Sequence, residues 1–341
     1  MKTDIKQRLI KILEEAGSRG YTQRELMYIL GVSKGYLSLI ISQLEKNGVV
    51  VRYKGPGRTV IVKLTKYTHP STGRYVRFGI VKSSEYIFLP ILLKKLRDRG
   101  FETELVFYPN VRELATSLLQ GRLHMAMLPI YTQLAYRFFG APIKSIPGGA
   151  VGGGFIVYRG KEIKELIDSY DKISVYSSQI STMEILSHAL MRRMRGRYEI
   201  RFYRDPRELV EEERDKGDII MSTWEPYATY LREKGFRTSP YKELLGEYHC
   251  CTLAIHENLM TGLRDLVKTL YSEALQEVSR KFDDAIDQYS RMINVEKDLL
   301  KKTSRDYSYR DYLDTNEIER LIREGGGYMV STEILRELIE E

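Results

Sequence analysis

Four short segments gather hydroxyls beside aromatic rings or a carboxylate: Ser83-Ser84-Glu85-Tyr86, Pro129-Ile130-Tyr131-Thr132, residues 177–182, and Ser222-Thr223-Trp224-Glu225. Hydroxyls placed just ahead of helices sit next to free amides and the positive end of a helix dipole, a setting suited to a carboxylate, a sulfonate or another polar group. Tyr86, Tyr131, Tyr176 and Trp224, the only tryptophan, offer faces on which a flat ring can stack. The candidate ligand-binding residues are therefore Ser83, Ser84, Tyr86, Tyr131, Thr132, Ser177, Ser178, Thr182, Trp224 and Glu225. Each Ser or Thr is equally explained as a plain N-cap, and Trp224 as a packing residue; the convergence of four loops carries the reading. The five histidines are scattered without ligand spacing, and Cys250 and Cys251 are adjacent with no second cluster, so no metal and no cofactor are expected. No nucleophile–base pairing is visible, and the chain reads as a non-enzyme.

The elements that must position these loops alternate. Strand patterns at 76–81, 102–107 and 125–128 are separated by helical patterns at 87–99 and 111–120, and a parallel sheet with right-handed crossovers follows. A strand at 155–158 begins a further unit, and strands at 173–176, 200–203 and 218–221 with helices at 182–194 and 206–216 repeat the rhythm. Two α/β lobes with a ligand cleft between them are expected. The glycine-rich run from Gly148 to Gly154 has no strand–Gly–helix context for a phosphate loop and reads as a loop at the cleft or a crossing between lobes. The stretch 263–302 reads as long helix that completes the first lobe and contributes to dimerisation.

Leu118-Leu119-Gln120-Gly121-Arg122-Leu123-His124-Met125-Ala126 resembles the helix–Gly–strand step of type II periplasmic binding proteins, and residues 216–227 repeat that step. The Trp224-Glu225-Pro226-Tyr227 run is similar to a signature of the branch that binds sulfonates, nitrate and thiamine-pyrimidine precursors (the SsuA-like group). The helix–Gly–helix stretch 316–339 resembles that group's closing segment. The resemblance spans about residues 74–341 and implies a two-lobed binding fold with the loops above lining its cleft.

Ahead of this body, residues 1–66 carry 13 Lys+Arg against 5 Asp+Glu and hold the whole net charge of +8. Helical spacing at 3–16, a capping box at Thr22 and Glu25, a stop at Gly31, a Ser33-capped helix to about residue 47 and two β segments joined by Gly55-Pro56-Gly57 spell a winged helix-turn-helix. The segment 32–50 resembles the recognition-helix region of MarR-like regulators, through Leu37-Ser38, Leu44-Glu45 and the Gly-Val-Val entering the wing. Ser33, Lys34, Tyr36, Ser38 and Ser42, with Lys54 and Arg58 at the wing tip, are the expected DNA-contacting residues. A winged helix that mediates protein contacts is the alternative.

The combined expectation is an α/β protein: a winged helix-turn-helix (1–66), a linker (67–73) and a two-lobed domain of the type II periplasmic-binding-protein kind (74–341), with lobe 1 at about 74–158 and 248–341 and lobe 2 at about 159–247. Its expected function is that of a ligand-responsive transcriptional regulator. Its expected partners are double-stranded DNA, a small polar or aromatic effector and a second copy of itself, as a homodimer or higher oligomer. The alternative is a solute-binding protein or enzyme of the thiamine-pyrimidine/sulfonate type. No segment reaches the roughly 18–20 uninterrupted apolar residues of a membrane span, and no signal-peptide pattern opens the chain, so a cytoplasmic location without membrane contact is expected.

Overall fold

The computed structural model describes all residues except 1–4, 47–48, 55–58, 65–74, 170–171, 213–218, 258, 260, 327–331 and 340–341. The expected hairpin tip Gly55-Pro56-Gly57, Arg58, the linker 67–73 and the side chain of Lys54 lie outside the described residues.

The N-terminal module runs α1 (Ile5–Ala16), β1 (Tyr21–Thr22), α2 (Gln23–Leu30), α3 (Lys34–Lys46), β2 (Val50–Lys54) and β3 (Val60–Leu64), with a sheet ordered β1-β3-β2. The capping box starts α2: Glu25 N–H donates to Thr22 Oγ1 at 3.2 Å and Thr22 N–H donates to the Glu25 carboxylate at 2.6 Å. Gly31, at φ +66°, ends it in a left-handed turn. Leu9, Leu13, Leu26, Leu37, Ile41 and Val62 form its core. Ile29, which the helical spacing points inward, is instead 45% exposed.

The body begins with β4 (Tyr75–Val81), α4 (Leu89–Asp98), β5 (Glu102–Tyr108), α5 (Val111–Leu119), β6 (Met125–Pro129), α6 (Ile130–Phe138) and β7 (Ile143–Ile146). After a crossing strand, β8 (Gly149–Gly152), come β9 (Gly154–Tyr158), α7 (Ile163–Ser169), β10 (Ile173–Ser177), α8 (Thr182–Arg193), β11 (Tyr198–Phe202), α9 (Pro206–Glu212), β12 (Ile220–Trp224), α10 (Tyr227–Glu233), β13 (Arg237–Pro240) and α11 (Tyr241–Leu245). The chain returns through β14 (Cys251–His256), α12 (Thr261–Glu277), α13 (Phe282–Ile293), α14 (Lys297–Thr303), β15 (Tyr307–Arg310), α15 (Thr315–Gly325) and α16 (Thr332–Leu338).

The two lobes have matching five-stranded sheets, ordered β5-β4-β6-β14-β7 and β11-β10-β12-β9-β13. In each, the first three strands are parallel and the fourth is antiparallel to its neighbours. The order reverses between β4 and β6 and between β10 and β12, the switch points at which open α/β sheets leave a crevice for ligands. β9 pairs with β12 and β13, so residues 154–158, assigned from sequence to the first lobe, belong to the second sheet. Likewise α15 packs on α8 of the second lobe while α16 returns to α6 and β7 of the first, so the C-terminal segment straps both. The expected long helical stretch over 263–302 is built of three helices, α12 to α14, with Asn294 at φ +53° closing α13.

The expected crossing at the glycine run is β8, which pairs with β15. Close approach explains its composition: a Cβ on Gly149 would lie 2.0 Å from the Cys251 carbonyl oxygen, and one on Gly153, at φ +74°, 1.9 Å from the Tyr307 ring. Gly153→Ala is therefore expected to lower the melting temperature by at least roughly 4 °C, through both the clash and the left-handed backbone. Thermal unfolding followed by circular dichroism checks this, and an unchanged midpoint would show that Tyr307 moves aside without cost.

Candidate functional site

The loops at both switch points meet in a narrow slot of about 30 Å³ between the lobes. The first lobe contributes Ser83, Glu85 and Tyr86 after β4, and Met127 and Pro129 on β6. The second contributes Ser178 and Ser181 before α8, Thr182 as its first residue, and Trp224 at the end of β12. Cys250 and Cys251, where the chain re-enters the first lobe, form its floor. A wider vestibule of about 370 Å³ lies outside it, sharing Val111, Ser178 and Trp224 and adding Asn110, Arg112, Glu113, Arg204 and Phe202.

The lobes are held shut across this slot. Trp224 Nε1–H donates to the Lys82 carbonyl at 3.2 Å, and Ser84 N–H donates to the Glu225 carbonyl at 3.0 Å. Thr132 Oγ1 donates to the Ile180 carbonyl at 2.5 Å, and Thr182 Oγ1 to the Cys250 carbonyl at 3.2 Å. Such bonds contribute about 0.5–1.5 kcal/mol each, an amount that a ligand's contacts can offset or reinforce. Ile180 sits at φ +52°, a costly conformation for a β-branched residue, held by the Thr132 bond and by its own N–H donating to Glu184 at 2.5 Å.

Two carboxyls near the slot are buried. Burial raises Glu85 to about 7, against the lowering effect of its hydrogen bonds with Cys251 and Cys250. Burial also raises Glu225 to about 7, opposed by donation from Thr229 N–H at 3.0 Å and Thr229 Oγ1 at 2.9 Å. The Cys251 thiol is pushed well above its ordinary range by burial.

Of the residues expected from sequence to bind ligand, Ser83, Tyr86, Ser178, Thr182 and Trp224 line the slot. The others do structural work around it. Ser84 Oγ bonds Thr303 Oγ1 at 2.7 Å, Thr132 forms a cross-lobe bond, and Glu225 is satisfied by Thr229. Ser177 and Tyr131 are buried away from the lining. Sequence reasoning missed Glu85 as a lining residue in its own right, the floor formed by Cys250 and Cys251, and Arg112 and Arg204 at the mouth. Glu85 lay within a segment already singled out; the cysteines gave no signal, because their partners come from distant strands.

In the N-terminal module, Ser33 caps α3 by accepting from Tyr36 N–H at 3.3 Å, and Ser42 accepts from Arg52 Nη2 at 3.4 Å. Arg52 also pairs with Glu45, which Arg122 of the first lobe reaches at 3.2 Å, while Gln120 Nε2–H donates to the Glu45 carbonyl at 3.2 Å. Lys34 and Tyr36 are exposed and Ser38 is half-buried; Leu39 beside them is 57% exposed, an apolar surface on the helix expected to meet a polyanion.

No family model and no curated protein matches the chain. Solved structures do. The ligand-binding component of an ABC-type import system from Staphylococcus aureus, solved with zinc bound, superposes with a TM-score of 0.65 at 18% identity, covering 77% of this chain and 98% of its own. The alkanesulfonate-binding protein SsuA of Xanthomonas axonopodis pv. citri, bound to MOPS, gives a TM-score of 0.60 at 12% identity over 79% and 99% of the two chains. A Candida albicans gene product, CA3427, described as having the generic periplasmic binding protein fold, gives 0.62 at 12% over 78% and 96%. The two-lobed periplasmic-binding-protein fold is thereby shown. The matches correct the expectation of a DNA-binding transcriptional regulator: the similar structures include the ligand-binding component of an importer and an alkanesulfonate-binding protein, and duplex DNA as a partner is without support. The internal pairing of Arg52 and the apolar exposure at Leu39 agree with that correction.

The raised Glu225 carboxyl has a pH signature. Because the native state holds this proton more tightly than the unfolded chain, its stabilising contribution is full below about 4.5 and is lost as pH rises through about 7. Glu225→Gln lacks that loss, so its stability relative to wild type is expected to improve as pH is raised from about 5 to about 8. Urea unfolding at several pH values checks this; a pH-independent difference would show an ordinary carboxyl.

Proposed function

We propose that this chain is a solute-binding protein that closes its two lobes over a small organic anion, without catalysing its turnover. The observation that carries the reading is the set of cross-lobe hydrogen bonds closed over a slot to which both switch points contribute. The slot interior is largely apolar, with Val81, Met127, Met183 and Trp224 beside the serine hydroxyls. Its mouth carries Arg112, Arg204 and the N-terminus of α5, capped by Asn110. That gradient suits an anionic head held at the mouth and an apolar tail directed inward, the chemistry of an alkanesulfonate. The similar alkanesulfonate-binding protein, bound to MOPS, supports the same class. The strained Ile180 belongs to the loop that closes this mouth, where such conformations accompany binding.

We further infer that residues 1–66 form a module of winged-helix type, joined by 67–73 to the two-lobed domain. Its element order and β1-β3-β2 sheet support this.

Trp224 is the only tryptophan and lines the slot, so it reports occupancy directly. Titration with MOPS and short alkanesulfonates is expected to shift its emission saturably, and Arg112→Ala with Arg204→Ala to weaken the tightest of them by about tenfold or more. Failure of sulfonates and of matched carboxylates to alter the emission would overturn the reading.

A further inference from the structure

We infer that Glu85, Cys250 and Cys251 form a binding site for one thiophilic divalent cation, of the zinc kind, at the floor of the slot. Their ligand atoms all lie within 4.8 Å of one another, and all three residues are buried. The two sulfurs stand 3.6 Å apart, a non-bonded distance. A tetrahedral ion with bonds of about 2.3 Å to sulfur holds its sulfurs about 3.8 Å apart, so the pair is spaced for one ion with little movement. Adjacent residues of a strand point to opposite faces, but Cys250 precedes the first residue of β14, where its N–H donates to the Ala150 carbonyl and its carbonyl accepts from Ile130 N–H, and both thiols reach one cluster.

The surroundings fit a metal centre. Tyr86 O–H donates to Cys251 Sγ at 3.3 Å, and Cys251 N–H donates to Glu85 Oε1 at 3.1 Å, fixing one sulfur and the carboxylate as outer hydrogen bonds do around bound metals. The slot supplies the entry path, since all three residues line it. Two sulfurs and one oxygen leave a fourth tetrahedral position facing the slot, open to water or a solute donor atom. On binding, each thiol gives its proton to solvent as the sulfur–metal bond forms. Two thiolates and a carboxylate then surround a dication, whose charge offsets most of the cost of burying them.

The site shares the slot of the solute reading but does not need a solute, and its test is separate. Full-length protein with reduced thiols is titrated with Co(II) and, by competition, Zn(II). The expected result is one ion per chain, with an intense sulfur-to-cobalt band in the near ultraviolet and the visible bands of a tetrahedral ion. Cys250→Ser and Cys251→Ser are each expected to abolish that band and weaken binding by at least about a hundredfold, and Glu85→Gln to weaken it about tenfold while keeping the band. Circular dichroism shows that each variant is folded; should one serine variant not fold, the other and Glu85→Gln carry the test. Absence of stoichiometric binding, a bound ion without the sulfur band, or conversion of the pair to a vicinal disulfide that takes no ion would each overturn the proposal. If sulfonates and matched carboxylates all leave Trp224 emission unchanged while cobalt binds with the sulfur band, the solute reading fails and the metal site stands; the converse pair of results does the opposite.

Discussion

Everything at the cleft depends on how closely three stretches of backbone pass one another between the lobes. β8 runs beside β15 and against the residues that lead into β14, and at Gly149 and Gly153 no side chain fits between them. That crowding fixes the Cys251 carbonyl against Gly149 and the Tyr307 ring against Gly153. Tyr307 O–H in turn donates to the Gly153 carbonyl at 3.3 Å and lies 3.4 Å from Ser83 Oγ, so the crossing sets the height of the loop after β4. With that loop fixed, Lys82 and Ser84 are placed to bond Trp224 and Glu225.

The resulting slot is asymmetric in its chemistry. Its mouth carries Arg112 and Arg204 beside Glu113, its walls are apolar, and its floor carries a carboxyl and two thiols whose ionisation burial opposes. On the proposed reading, an anion is drawn to the arginines and repelled from an ionised floor, so head and tail of a ligand are told apart by electrostatics before any close fit. Neutral at low pH, Glu85 relaxes that discrimination; ionised, it sharpens it.

Much of this was legible in residue patterns because it is local. The capping box at Thr22, the stop at Gly31 and the alternation of strand and helix each depend on neighbours within a few positions, and the structure contains them. The hydroxyl loops were legible for the same reason, since strand-to-helix turns in such sheets fall at the crevice. Which member of each loop faces the slot was not: Ser83 and Ser84 are adjacent, yet one lines it and the other bonds Thr303. Glu85 meets Cys251 across 166 positions, a distance over which sequence spacing carries no geometry. The strap formed by α15 and α16 was hidden likewise, because a helix that crosses from one lobe to the other has the same amphipathic spacing as one that stays.

The charge excess of residues 1–66 shows a different limit. A formal count treats every cation as available to a partner, whereas Arg52 is committed to Glu45 and Ser42 within the module. Glu45 in turn receives Arg122 from the turn before β6, and its backbone receives Gln120 from the end of α5. α5 is a single rigid helix whose N-terminus, with Asn110 and Arg112, lies at the cleft mouth, and whose C-terminal turn meets Glu45. At a rise of about 1.5 Å per residue, it sets the two contacts only about 14 Å apart. α5 thus joins the cleft mouth to the Glu45 contact as one helix. The Glu45–Arg122 pair there is half-buried, and with the backbone bond from Gln120 it holds the module against the first lobe.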